Sequence, residues 1–338
     1  MISGRDIYKK IVNRKDLSAE ESKELFDLLM EGKISPQLAS GILTALLMKG
    51  ESVDEIYGAV QSMREHCQNI DAGVEPLLDT CGTGGDESNT FNISTVAAIV
   101  LAGGGVYIAK HGNRSVSSKC GSADVLESMG VPIDLTPEKV IESIKTNRFG
   151  FLFAPYYHPS MKNIAPIRRE LGIRTIFNIL GPLTNPARSK RQIIGVFSTD
   201  WVDRIASVLA KTGCKHGYVF SSEDGLDEVS PSARTRVCEI IDGKVVKCFW
   251  FHPRDVDLEV ISLNAIVSSS IKDSIVLAEK IIQAEKTKAT SVVLLNAAFG
   301  FLAADVCKDL KEGITLAQES INSGGAYKIL QNLRNIKK

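Results

Sequence analysis

After Asp71 short apolar runs alternate with helical patterns, and this alternation limits the possible folds more than any other feature of the chain. The runs Leu77–Leu78, Val106–Ala109, Ile193–Phe197, His216–Phe220 and Ser291–Leu295 read as strands. Strands interleaved with helices predict an α/β domain with a largely parallel sheet. Ligands of such sheets collect beyond the C-terminal ends of strands, so the loops that follow these runs are where function is expected.

Residues 1–66 have a different texture and read as helices. Ser18-Ala-Glu-Glu21 is a capping-box pattern ahead of the periodic Leu25, Leu28 and Leu29. Ser35-Pro36 pairs an N-cap with proline at the first helical position, leading into Leu38, Ile42, Ala45 and Leu46. Ser52-Val-Asp-Glu55 repeats the capping box. Four short amphipathic helices form a small helical domain whose apolar stripes need another surface to cover them. The expected division is a helical domain over 1–70 and an α/β domain over 71–338.

The 338 residues are 44% hydrophobic and 24% charged, enough to bury a sizeable core. Forty basic and forty acidic side chains cancel, which argues against a whole-surface affinity for nucleic acid or membranes and leaves room for a local basic pocket. Cys67, Cys81, Cys120, Cys214, Cys238, Cys248 and Cys307 are odd in number and scattered, with no C-x-x-C spacing. That pattern predicts reduced thiols in a cytoplasmic protein, with neither a disulfide framework nor a zinc cage. Met1 to Lys10 is charged and lacks the apolar core of a signal peptide. The longest apolar run, Val96–Ala109, is broken by Gly103, Gly104 and Gly105 and is too short to span a bilayer, so a soluble protein is expected.

Directly after the strand-like Leu77–Thr80 comes Cys81-Gly-Thr-Gly-Gly-Asp86, followed by Thr90-Phe-Asn-Ile-Ser-Thr95. Glycines let backbone N–H groups approach an anion with no Cβ in the way. Asn92, Ser94 and Thr95 are cap-type residues at the start of the helical run Val96–Ala102. A helix N-terminus there would turn free amides and a positive dipole end toward phosphate. Neither the Walker loop nor the dinucleotide fingerprint fits, and on its own the segment reads equally as a plain glycine-rich turn.

The run Val106–Ala109 ends in Lys110-His-Gly-Asn-Arg-Ser-Val-Ser-Ser118. Lys110 suits phosphate as a point charge, while hydroxyls and amides add directional hydrogen bonds. A solvated polar loop is the plainer alternative. Two anion-suited segments after successive strands favour phosphate binding.

Taken together, GTGGD-x-x-x-TFNIST over 82–95 and KHGNRSVSS over 110–118 resemble the anthranilate phosphoribosyltransferases, of the nucleoside phosphorylase-like superfamily. The likeness continues through His158-Pro-Ser-Met161, Ile167-Arg-Arg-Glu170, Arg174 to Pro186, Gly225-Leu-Asp-Glu-Val-Ser230 and the region of Leu295-Asn296-Ala297. It covers nearly the whole chain. The resemblance implies a nucleoside phosphorylase-like fold in which about 165–185 adds helices to the small domain. It implies transfer of a 5-phosphoribosyl group from phosphoribosyl pyrophosphate to anthranilate in L-tryptophan biosynthesis. By the same likeness, Gly82, Gly85, Asp86, Thr90, Asn92, Ile93, Ser94 and Thr95 line the donor site. Lys110, His111, Gly112, Asn113, Arg114, Ser115, Val116, Ser117, Ser118 and Ser122 line it as well. Ser94, Asp227 and Glu228 serve magnesium, two ions per subunit, and Gly82, Asn113 and Arg168 face anthranilate. A homodimer through the helical domain is also implied. Glu87 stands where the family often has glycine, and Cys120 where serine is common.

The residue types suit that chemistry. Departure of a charged diphosphate needs positive compensation that strengthens as charge builds, which magnesium and Lys110 can supply. Magnesium takes hard oxygen ligands and keeps waters and phosphates in its shell, so Asp227, Glu228 and the Ser94 hydroxyl form a reasonable protein share. An adjacent acid pair is otherwise an ordinary solvated loop. An arginine can clamp the anthranilate carboxylate bidentately. In Arg168-Arg169-Glu170 the residues alone do not choose between the two arginines, and a helical surface salt bridge is the plain alternative. An aromatic amine is neutral near pH 7, so no histidine is assigned as general acid or base; His111 shapes its loop and His158 the helix entry before Pro159. The rival readings are a pyrimidine nucleoside phosphorylase, which would not need the acid pair, and a non-catalytic nucleic-acid-binding homologue, which would need a basic surface.

Overall fold

The computed structural model describes residues 4–85, 88–114 and 121–337. The chain opens with α1 (Gly4–Val12), α2 (Ala19–Met30), α3 (Pro36–Lys49) and α4 (Val53–Glu65). The caps sit where their residue types place them. Ser18 Oγ accepts from Glu21 N at 3.2 Å while Glu21 reaches back to Ser18 N at 2.9 Å, and Ser52 with Glu55 repeats this at 3.2 and 2.7 Å. Each box satisfies amides that the first helical turn leaves orphaned.

The α/β part follows. It runs β1 (Leu77–Gly82), α5 (Ile93–Gly103), β2 (Tyr107–Gly112), α6 (Ser122–Ser128), α7 (Pro137–Asn147), β3 (Phe149–Phe153), α8 (Ala154–Tyr157), α9 (Ala165–Leu171), α10 (Phe177–Leu180) and β4 (Arg191–Gly195). Then come α11 (Val202–Lys211), β5 (His216–Ser222), β6 (Thr235–Ile241), β7 (Lys244–Phe251), α12 (Ile271–Ile282), α13 (Thr290–Ala303), α14 (Leu310–Asn322) and α15 (Gly325–Arg334). The seven-stranded sheet has the order β3-β2-β1-β4-β5-β6-β7. The first five strands are parallel and the last two antiparallel. Among the described residues no helix is long and apolar enough to cross a membrane.

One apolar core joins α5, α12, α13 and α15 to the sheet, with Ile93, Val96, Ile99, Val100 and Leu101 of α5 fully buried. Each such side chain contributes roughly 1.5–3 kcal/mol on leaving water. A second core joins α1–α4 to α9, α10, α11 and the residues Ile194, Val219 and Cys238 of the sheet. Thus α9 and α10 pack with the helical segment although they lie far along the chain.

Three expectations are corrected. Ser291–Leu295 is not a strand; it lies in α13, whose residues from Val292 to Phe301 are all buried. An all-apolar run carries no period, so burial on every side hides a helix. Lys110, His111 and Gly112 belong to β2 rather than to a loop after it, because the ladder with β3 continues to Gly112 opposite Phe153. Not all thiols are free: Cys238 and Cys248 are joined in a disulfide. They lie opposite one another on β6 and β7, with Cα atoms 4.1 Å apart.

Candidate active site

Strand order reverses about β1, which has β2 on one side and β4 on the other, and open α/β sheets bind ligands beyond such a switch point. Gly82 ends β1 opposite Gly195, the last residue of β4. The β5–β6 connection folds over this pair. A Cβ on Gly195 would lie 1.4 Å from the Asp227 carbonyl oxygen, and one on Gly82 would lie 2.5 Å from Asp227 Oδ2. Only glycine fits at 195, where the clash is with backbone, and a side chain at 82 would have to displace the Asp227 carboxylate. The Asp227 carboxylate also accepts a hydrogen bond from Gly84 N at 2.8 Å. Gly84 and Gly85 have φ of 64° and 79°, left-handed values that suit glycine and turn the loop back over the sheet.

The other wall starts from Asn92. Its side chain caps α5 by accepting from Thr95 N at 3.2 Å, and its Oδ1 also accepts from the Thr95 hydroxyl. This aims the first turn of α5, with Ser94 in it, toward the end of β1. Ile93 and Thr95 are buried beneath, and Thr90 bridges to Val267. Lys110 is 1% exposed. Its ammonium donates to the Thr80 carbonyl at 2.5 Å and to Ser94 Oγ at 3.2 Å, which brings the two predicted segments together. Burial pushes the Lys110 pKa down, opposed by the nearby Cys81, Asp79, Glu228 and Asp227.

Under this floor lies Asp79, fully buried. It accepts from His111 N at 3.1 Å and from Gln192 Nε2 at 3.3 Å, linking β1 to its two neighbours. Burial raises its carboxyl to about 6 against those bonds, Asn185 and Lys110. His111 donates from Nδ1 to Gly181 O at 3.1 Å, leaving Nε2 as a buried acceptor without a partner among the described residues. Its ring lies 5.1 Å from that of His158. Burial lowers the His111 pKa to about 3 and that of His158 to about 4, so both rings are neutral near pH 7. The pair joins β2 to the segment after α8, a contact that the separate local roles expected for these histidines did not include.

The remaining expected residues fall as follows. Gly112 has no room for a Cβ, which would meet Ser122 Oγ at 2.2 Å, so the start of α6 packs against the end of β2. Asn113 is exposed and its carbonyl accepts from Ala123 N at 3.2 Å and Ser122 Oγ at 3.4 Å. Arg114 turns away onto α6, pairing with Asp124 at 3.0 Å and Glu127 at 2.7 Å. Asp86, Ser115, Val116, Ser117 and Ser118, with the departures Glu87 and Cys120, lie outside the described residues. Arg168 sits on α9 with its guanidinium 5.7 Å from the centre of the Phe177 ring. Burial lowers its pKa, and its side chain makes no hydrogen bond or ion pair among the described residues. No hydrogen bond there joins it to Gly82 or Asn113. The neighbouring Arg169 is exposed.

Buried Asp227, partly buried Glu228 and the Ser94 hydroxyl offer only hard oxygen donors, which suit magnesium and not a soft metal. Sequence reasoning missed Asp79, which lies just ahead of the glycine loop, and Arg174. The Arg174 side chain donates to the Gly85 carbonyl and lies 4.7 Å from the centre of the Phe197 ring.

Comparison with known proteins agrees with this geometry. Residues 74–327 match the family described as "Glycosyl transferase family, a/b domain", and residues 5–67 match its "helical bundle domain". An anthranilate phosphoribosyltransferase of Persephonella marina is 48% identical over 99% of both chains. The crystal structure of anthranilate phosphoribosyltransferase from Thermus thermophilus superposes with a TM-score of 0.91 at 42% identity, covering 97% of this chain and 98% of that one. The Saccharomyces cerevisiae enzyme, solved in complex with phosphoribosyl pyrophosphate and magnesium, gives 0.88 at 29% identity, covering 98% and 96%. With identity of this order over the full length and the same two-part fold, the chain belongs to the anthranilate phosphoribosyltransferase family.

Proposed function

We propose that this protein transfers the 5-phosphoribosyl group of phosphoribosyl pyrophosphate to the amine of anthranilate, yielding N-(5-phosphoribosyl)anthranilate and pyrophosphate on the route to L-tryptophan. The observation that carries the reading is the approach of Lys110 to Ser94 across the end of β1, with Asp227 closing the same space from the β5–β6 connection. The Lys110 amino group, a helix N-terminus and glycine amides converge there, as a diphosphate requires. A nucleoside phosphorylase has no need of the acid pair at this place.

In the reaction the amine lone pair forms the new C–N bond at the anomeric carbon, the bond to the diphosphate oxygen breaks with its electron pair leaving on pyrophosphate, and the amine then loses its surplus proton to solvent water. Lys110 offsets charge on the departing group, and because it is buried its field is little screened. Gly82, Gly85, Asp86, Thr90, Asn92 to Thr95, Lys110 to Ser118 and Ser122 bind the donor. Ser94, Asp227 and Glu228 would hold magnesium, two ions per subunit, which would supply further neutralisation of the diphosphate. Arg168, without an acidic partner among the described residues, holds the anthranilate carboxylate, and Gly82 and Asn113 complete that pocket. Neutral His111 and His158 serve packing and polarity, with no role as proton carriers. The division at 70/71, a homodimer through the helical domain and a cytoplasmic site of action complete the proposal.

A fluorescence assay of anthranilate consumption tests it. Loss of anthranilate signal that needs both phosphoribosyl pyrophosphate and magnesium is expected. Consumption without the donor, or phosphorolysis of a pyrimidine nucleoside in its place, contradicts it.

A further inference from the structure

We propose that Arg174 is a positioning residue that fastens the glycine loop from the helical side and thereby sets affinity for the phosphoribosyl donor. The proposal rests on the assignment of that loop to the donor. Arg174 lies between α9 and α10, and Ile167 of α9, Phe177 of α10 and the intervening Ile176 pack into the core shared with α1–α4. Its side chain therefore reaches out of the helical part to the loop that ends β1, where it donates to the Gly85 carbonyl. Two features fix it there. The guanidinium lies 4.7 Å from the centre of the Phe197 ring, and the Phe197 ring lies 5.9 Å from Trp201. A Cβ on Gly85 would lie in ordinary contact with that guanidinium, at 3.4 Å, so the arginine packs directly over the glycine.

The same loop is tied at two other points. Phe197 N donates to Thr83 Oγ1 at 3.1 Å, and Gly84 N donates to Asp227 at 2.8 Å. Three successive residues, Thr83, Gly84 and Gly85, are thus held from the β4 end, the β5–β6 connection and the α9–α10 connection. The bond from Arg174 to the Gly85 carbonyl restrains the backbone at Gly85. Because glycine loops are otherwise free to turn, that restraint lowers the entropy lost when the loop orders around a diphosphate. Lysine cannot replace arginine fully, since it lacks the planar group that stacks on Phe197.

Steady-state kinetics on Arg174→Ala, Arg174→Lys and Phe197→Leu test this. Loss of one charge-assisted bond and its stacking partner is expected to raise the KM for phosphoribosyl pyrophosphate about tenfold in Arg174→Ala, with the anthranilate KM changed less than about twofold. Arg174→Lys recovers part of the loss, Phe197→Leu shifts the same constant less, and Arg174→Ala/Phe197→Leu is no worse than Arg174→Ala. An unchanged donor KM, or equal rises for both substrates, overturns the proposal. Lys110→Met is the control: if it too leaves donor affinity intact, the loop assignment falls with the proposal, whereas loss in Lys110→Met alone removes only Arg174.

Discussion

Lys110 Nζ lies 3.2 Å from Ser94 Oγ, although the two residues come from different strand-to-helix units. The lysine is the one formal charge of the pair, and its stem is sealed from water by the sheet. It holds that place by donating to the Thr80 carbonyl and hydroxyl at 2.5 and 3.3 Å, so the ammonium is oriented before any substrate arrives. Preorganised charge of this kind is what a leaving diphosphate needs.

Lys110→Met keeps the stem and removes the charge. A drop in kcat/KM for the donor of roughly 10²–10³-fold is expected, the usual cost of deleting one preorganised stabilising group. Circular dichroism should stay native, because methionine keeps nearly the length and volume of the buried side chain. Activity within a few-fold of the parent would show that this charge does not face the diphosphate.

Arg168→Ala is expected to raise the anthranilate KM by roughly ten- to a hundredfold while the donor KM holds, as removal of a charge-assisted carboxylate clamp predicts. Arg169→Ala, at an exposed position, should leave both constants near the parent values. Initial rates over a grid of both substrates separate the cases.

For Asp227→Asn with Glu228→Gln the expected change is in the magnesium titration, whose midpoint moves to higher metal concentration. Asp227 also holds Gly84 N, so donor affinity falls with it. A titration that overlays the parent would remove the pair from the metal site.

His216 gives a pH dependence of stability at the end of the sheet away from the site. Its Nδ1 faces Asp305 at 2.6 Å and its Nε2 faces Glu239 at 3.2 Å, with Tyr218, Lys247 and Arg191 around them. Burial disfavours the imidazolium, but the bonds to Glu239 and Asp305 outweigh it and raise the His216 pKa above the ordinary 6.5. Glu239 is lowered from 4.5 to about 2, chiefly by its bond to His216. The histidine contribution is full below pH 6.5 and is lost as pH rises through the raised value. The Glu239 contribution is full above 4.5 and is lost as pH falls toward 2. Urea unfolding should therefore show His216→Gln most destabilising between those limits and less so at about pH 8.5. An equal loss at about pH 5.5 and 8.5 would mean that the charge pair adds nothing.

The parts legible in the sequence were those specified locally. Ser18, Ser35 and Ser52 declare their helices within a few residues, and the cap-type Asn92, Ser94 and Thr95 mark the region where α5 starts, although only the fold shows that Asn92 is the cap. What depends on distant partners was not legible. The antiparallel pair β6 and β7, with Cys238 against Cys248, is a matter of register across a hairpin. The Arg174–Gly85 bond joins positions 89 apart, and the His111–His158 stack needs a strand and a loop to meet. Lys110 shows the middle case: its charge pointed to phosphate, but an apolar run ending at Ala109 hid that the strand continues through it.

The central claim is that the segment from Gly82 to Thr95 and the segment from Lys110 to Ser122 grip one diphosphate. A crystal structure of the protein with phosphoribosyl pyrophosphate and magnesium measures this directly. Diphosphate density between Gly84 N and Lys110 Nζ, with metal against Asp227 or Glu228, is the predicted result. Donor density away from both segments would contradict it.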